Sequence, residues 1–128
     1  MDKILEHIKK DFNNRATIQQ KRPDIFQLYL PIYHEDGDMI DVFIKHNPDG
    51  KYTLCDFGQT IMRLSYSYEI DTPNKENILQ KILSENHLTE DNGNISMGTN
   101  AETIFTDIMN ITQALAKIGS MRDLDKKD

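Results

Sequence analysis

Between Phe26 and Cys55 the apolar residues fall on alternate positions, and two clusters of turn-forming residues cut them into three runs. Phe26, Leu28, Leu30 and Ile32 alternate with Gln27, Tyr29, Pro31 and Tyr33, the pattern of a half-buried strand. Pro31 cannot donate to a ladder, which suggests an edge or a bulge. His34-Glu35-Asp36-Gly37-Asp38 turns the chain; Ile40, Val42 and Ile44 then make a second strand. Asn47-Pro48-Asp49-Gly50 supplies another turn, and Tyr52 to Cys55 make a third strand. The spacing predicts a three-stranded antiparallel meander.

On either side the period changes to that of a helix. Ile4, Leu5, Ile8 and Phe12 recur at helical spacing behind Asp2, so the chain opens with a helix ending near Asn13-Asn14, followed by the polar run 13–24. Ile61, Met62 and Leu64 suggest a short helix starting around Gly58 to Thr60, and Thr72-Pro73 starts another with Ile78, Leu79, Ile82 and Leu83 on one face. Asn92-Gly93 between short apolar pieces reads as a small hairpin. Thr99 and Glu102 are spaced as a capping box before a helix that runs to Ile118 and stops at Gly119. The expected class is α+β: a three-stranded meander, about four helices and a small second hairpin. One domain is expected over residues 1–128, with a basic helical segment 1–22, a body 23–120 and a charged tail 121–128.

The net charge of −6 is unevenly spread: residues 1–22 carry +3, so the rest carries −9. From Lys81 to Lys117 no Lys or Arg intervenes, while Glu85, Glu90, Asp91, Glu102 and Asp107 do. Such a body opposes phosphate backbones and suits a basic protein partner, so direct nucleic-acid binding by it is disfavoured. These five acids are the candidate partner-binding residues; the other reading is a solvated acidic face. Cys55 is the one cysteine, which excludes an intrachain disulfide and suits a reducing compartment. The first ten residues alternate charged and apolar groups, unlike a secretion signal, and no long apolar run is present, so the expected location is cytoplasmic, away from any membrane.

Several short motifs invite a chemical reading. Tyr52 to Thr60, with Asp56-Phe57-Gly58, resembles the metal-binding turn of a protein kinase, but the Gly-rich loop and the catalytic loop are missing. The structural reading is that Asp56 ends a strand and accepts hydrogen bonds from amides of the next helix, with Gly58 supplying a turn. Asp36, Asp38, Asp41 and Asp56 form the candidate metal set of an alternative function, a small metal-dependent hydrolase or nuclease. Pro23-Asp24 with Asp49-Gly50-Lys51 imitates a nuclease signature, yet its second half sits in a turn. His7, His34, His46 and His87 lie on separate elements, and no G-x-S-x-G elbow exists. No cofactor is called for.

The order of an apolar strand, Gly37-Asp38, a second apolar strand, Gly50, then Tyr52-x-Leu54-x-Asp56-x-Gly58 before a short helix resembles the DUF1828 family, a bacterial and phage domain of unknown function. The likeness extends over roughly residues 20–120. It implies an α+β module often carried on mobile elements and assigns no activity. The expectation that follows is a non-catalytic binding or regulatory module for a basic or nucleic-acid-binding protein. An inhibitor of a host defence protein, such as an anti-CRISPR, is one concrete version by analogy of size and fold. Ile104, Ile108, Ile111 and Leu115 continue to Ile118 at spacings of 4, 3, 4 and 3, a packed seam widened by Phe105 and Met109. Either this face covers the sheet within one molecule, or it joins two copies into a homodimer.

Overall fold

Alternating residues make a sheet only if each strand finds neighbours for its backbone, and here more strands supply them than the three expected. The computed structural model describes residues 2–34 and 36–124. In chain order these form α1 (Asp2–Asp11), β1 (Thr17–Arg22), β2 (Ile25–Tyr29), β3 (Val42–His46), β4 (Tyr52–Cys55), α2 (Gln59–Leu64), α3 (Pro73–Glu85), β5 (Thr89–Asp91), β6 (Asn94–Thr99), α4 (Ile104–Gly119) and α5 (Met121–Leu124). The strands join into one antiparallel sheet of order β1-β2-β3-β4-β6-β5. The α+β class stands, and the meander is the centre of a six-stranded sheet.

Two segments account for the difference. The polar run after α1, expected as a loop within a helical segment 1–22, contains β1, which pairs Thr17 with Tyr29 and Gln19 with Gln27. Only Ile18 of this edge strand is even half-buried, so its composition looks like a linker. The hairpin around Asn92-Gly93 is not separate: β6 inserts between β4 and β5, pairing Leu54 with Met97 and Cys55 with Ser96. β2 ends at Tyr29, short of the expected Ile32. The capping box also fails, because Thr99 belongs to β6; Asn100 Oδ1 accepts from the Glu102 and Thr103 amides (2.9 and 3.0 Å), and α4 starts behind Thr103. The expected charged tail begins instead with α5, whose Met121 is fully buried; residues 125–128 lie outside the described ones.

The other helices begin and end as their residues dictate. Thr72 Oγ1 accepts from the Lys75 amide at 3.2 Å and Pro73 occupies the first turn of α3. Asn13 and Asn14, at φ 54° and 61°, close α1 in the left-handed region that Asn tolerates.

Leu28, Val42, Ile44, Leu54 and Ile95 form the inner face of the sheet and are fully buried. Against them lies α4, whose Ile104, Ile108, Ile111, Leu115 and Ile118 are fully buried too. It touches β4, β6 and each of the other helices. Burying an Ile side chain stabilises by about 1.5–3 kcal/mol, so this helix is the main apolar contributor to the core. The seam is therefore used up inside one molecule, which removes it as a homodimer contact. Phe12 of α1 reaches Phe105 of α4, ring centroids 5.0 Å apart. Among the described residues no helix is long and apolar enough to cross a membrane.

Candidate functional site

Directly after β4 comes Asp56, whose carboxylate is completely buried and binds chain from three places. Oδ1 accepts from the amides of Gly58 (2.9 Å) and Ile95 (3.0 Å), and Oδ2 accepts from that of Thr60 (3.1 Å). The Asp56 amide donates to the Ile95 carbonyl at 3.1 Å, so the carboxylate continues the β4–β6 ladder where the backbone turns away. Amide acceptance at the start of α2 is the structural role expected of Asp56; the bond to Ile95, 39 residues on, is an addition. Phe57 and Gly58, at φ 50° and 79°, make the turn left-handed, and a Cβ on Gly58 would come 3.7 Å from the Gly93 carbonyl carbon.

A few residues away, α2 and the β2–β3 connection enclose a cleft of about 520 Å³. The connection folds back on itself: Tyr33 bridges Met39, and the His34 amide donates to the Asp38 carbonyl at 2.8 Å. Asp36 Oδ1 accepts from the Asp38 amide (3.1 Å), which aims both carboxylates at Arg63 of α2. The Arg63 guanidinium donates to Asp36 Oδ2 and, at 2.9 Å, to Asp38 Oδ2. Arg122 and Asp123 of α5 complete the lining with Gly119, where a Cβ would stand 2.9 Å from His34 Nδ1. Gly119, read from sequence as a helix stop, is instead the last residue of α4, capped by Ser120, and leaves room for the imidazole. Tyr66 rims the cleft at 82% exposure, and Met62, four residues earlier, is 49% exposed.

The electrostatics follow from this packing. Burial, and then the Arg63 charge, hold the His34 pKa below its usual value despite Asp36, Asp41 and Asp38 nearby. The Asp38 amide and then Arg63 lower Asp36, while burial raises Asp41. Partial burial opposes the Arg63 charge, but the hydrogen bonds and charges of Asp38 and Asp36 outweigh it and raise its pKa. The lining thus carries three carboxylates, two guanidiniums and an imidazole biased to neutrality. It offers acceptors, an aromatic ring and a negative balance, a combination suited to recognising a cation.

The four candidate metal carboxylates do not converge. Asp36 and Asp38 hold Arg63, Asp41 accepts from Gln27 Nε2 at 3.1 Å, and Asp56 is committed to amides. Among the described residues no group of three or more His, Cys, Asp or Glu is placed to hold a metal ion. Burial pushes the Cys55 thiol up to about 11, far from an activated nucleophile. In the nuclease imitation, Asp49 Oδ1 accepts from the Lys51 amide at 2.9 Å within its turn.

The five candidate partner-binding acids are spread over three places. Glu85 closes α3, Glu90 and Asp91 lie on the edge strand β5, and Glu102 and Asp107 flank the start of α4. Glu90 Oε2 accepts from the Gly93 amide and Asp107 Oδ2 from the Thr99 and Thr103 hydroxyls, each at 2.7 Å. Arg63, Tyr66, Arg122 and Asp123 were not singled out from sequence. The available signal was Met62 and Tyr66, two large apolar residues four apart and out of phase with the buried Thr60 and Leu64.

No curated protein and no solved structure matches the chain. The family described as Domain of unknown function DUF1828 matches residues 30–118, which span β3 to α4 and include His34, Asp36, Asp38, Asp56 and Arg63. With well over half its length matched, the chain belongs to the DUF1828 family.

Proposed function

We propose that the chain is a non-catalytic binding module that takes a basic side chain of a protein partner into the cleft of His34, Asp36, Asp38, Arg63, Tyr66 and Asp123. The observation that carries this is Tyr66, 82% exposed beside carboxylates that outnumber the arginines. Each of these carboxylates already faces an arginine, Asp36 and Asp38 facing Arg63 and Asp123 facing Arg122, but an aromatic ring beside a carboxylate excess is what a further guanidinium or ammonium seeks. The acids Glu85, Glu90, Asp91, Glu102 and Asp107 add a long-range field that steers a basic partner towards the body. A module of this kind acts by occupancy, as an inhibitor or adaptor of a basic, nucleic-acid-binding protein, and suits a mobile element. The metal-dependent hydrolase or nuclease has no specific observation in its favour.

The test is calorimetric titration with an arginine-rich peptide, an acidic peptide as control. Binding of the arginine-rich peptide alone, weakened by salt and by Tyr66→Ala or Asp38→Lys, is the expected result. Equal binding of both peptides, or indifference to both substitutions, overturns the reading.

A further inference from the structure

The face of the sheet opposite the core is open apart from Cys55, which lies between Phe43 and Ser96 and is buried. Between the buried inner residues, Gln27, Phe43, Lys45, Thr53 and Ser96 point the other way and are half-buried or exposed. Three aromatic rings gather there. Phe43 pairs with Gln27, two residues from Tyr29 on the same side of β2, and the Phe57 ring meets that of Phe43 at 4.9 Å and 67°. Phe57 is 39% exposed and sits at φ 50°, a conformation that costs a bulky residue energy. The amides bound by Asp56 hold it there.

Positive charge shares this face. The Lys21 ammonium stands 5.8 Å from the Tyr29 ring centroid and donates to Gln19 Oε1 at 3.1 Å. Lys45, opposite Thr53, is exposed on the same side. Among the described residues neither lysine forms an ion pair. The carboxylate of Asp41, which reaches this side, is engaged by Gln27. A chain with net charge −6 thus leaves cations and aromatic rings together on the β1–β3 side of its open sheet face, with the exposed Asp91 across the sheet on β5.

We propose that this face binds a single-stranded polynucleotide, with bases stacked on Phe57, Phe43 and Tyr29 and phosphates against Lys21 and Lys45. Stacking needs π-faces reachable by unpaired bases, and the lysines supply the complementary charge. The total charge disfavours nucleic acid only if it is uniform, and here it is not. This site is separate from the cleft and does not depend on its reading.

Fluorescence anisotropy with a labelled oligothymidylate of about 12 nucleotides, at low salt, tests it. The expected result is binding of the single strand in preference to a duplex of equal length. Phe57→Gly, which suits the left-handed backbone, should weaken affinity about tenfold by removing a stacking ring. Lys45→Gln, at an exposed site, should weaken it and reduce the salt slope by about 0.7. Tyr66→Ala should leave it unchanged. Circular dichroism establishes that each variant is folded; should Phe57→Gly fail to fold, Lys45→Gln decides. No binding by the wild-type chain, equal preference for duplex, indifference to Lys45→Gln, or binding of a peptide here but no oligonucleotide overturns the proposal.

Discussion

Asp56 and the pair Asp36 and Asp38 lie on one run of chain and do opposite things. Asp56 is sealed from water and takes three amides; Asp36 and Asp38 stand in solvent and take one guanidinium. The difference teaches that a carboxylate's use is set by what its neighbours lack. At the end of β4 the turning backbone leaves amides without partners, and one side chain satisfies them. In the β2–β3 connection the His34 and Gly37 amides have carbonyl partners and only the Asp38 amide calls on a carboxylate, so Asp36 and Asp38 face outward with oxygens left for Arg63.

The comparison can be stressed from four sides, beginning with the largest effect. Ile111→Asp puts a carboxylate at a fully buried position of α4 where no free amide awaits it, and is expected to unfold the chain, as circular dichroism would record. A folded variant would show that the seam is not core. Asp56→Ala removes the acceptor of three amides and should cost about 4 kcal/mol in urea denaturation. Asp56→Asn should cost less, since one oxygen remains. A loss below about 1 kcal/mol would reduce Asp56 to an ordinary helix cap.

The third effect is smaller and depends on pH. His34 has a folded pKa below its unfolded value, so the unfolded chain binds more protons. Its contribution is complete above about pH 6.5 and is lost as pH falls through the folded value. His34→Asn should flatten that part of the stability profile, and in the wild-type chain the imidazole resonances should titrate below 6.5, rising when Arg63→Gln removes a charge. Titration at or above the usual value would mean that the cleft is wetter than its packing implies. The smallest effect belongs to Asp36→Asn with Asp38→Asn. The exposed pairs contribute little, so the urea midpoint should stay in place while binding of a basic peptide is lost. A shifted midpoint would make these carboxylates structural after all.

How far the sequence spoke varied with the range of the interactions involved. β2 to β4, α2, α3 and the body of α4 were legible because their apolar periods are local. β1 was not, since Thr17, Gln19, Gln20, Lys21 and Arg22 are polar on both sides of an edge strand and only its partner makes it a strand. The place of β6 beside β4 depends on pairing across some 40 residues, which no window of sequence displays. Thr99 and Glu102 had the spacing of a cap, but the strand kept Thr99 and Asn100 took its role. The role of Asp56 at the next helix could be read from its neighbours, whereas its bond to Ile95 could not. The cleft draws on His34, Asp36 and Asp38, on Arg63 and Tyr66, and on Gly119, Arg122 and Asp123, so it exists only once the fold does.

The order of the elements, with α4 made after the meander it covers, has a consequence for synthesis. Residues 25–55 leave the ribosome well before α4 and bear Leu28, Val42, Ile44 and Leu54, while the helix that covers them begins at Ile104. Throughout the intervening translation the apolar side of the meander has no permanent cover, and β4 has an unpaired edge until β6 is made. Exposed apolar surface beside an open strand edge is what chaperones bind and what aggregates form from. The nascent chain is most vulnerable before α4 emerges, and a message broken just ahead of Ile104 would yield a strand-rich fragment without the helix that covers it.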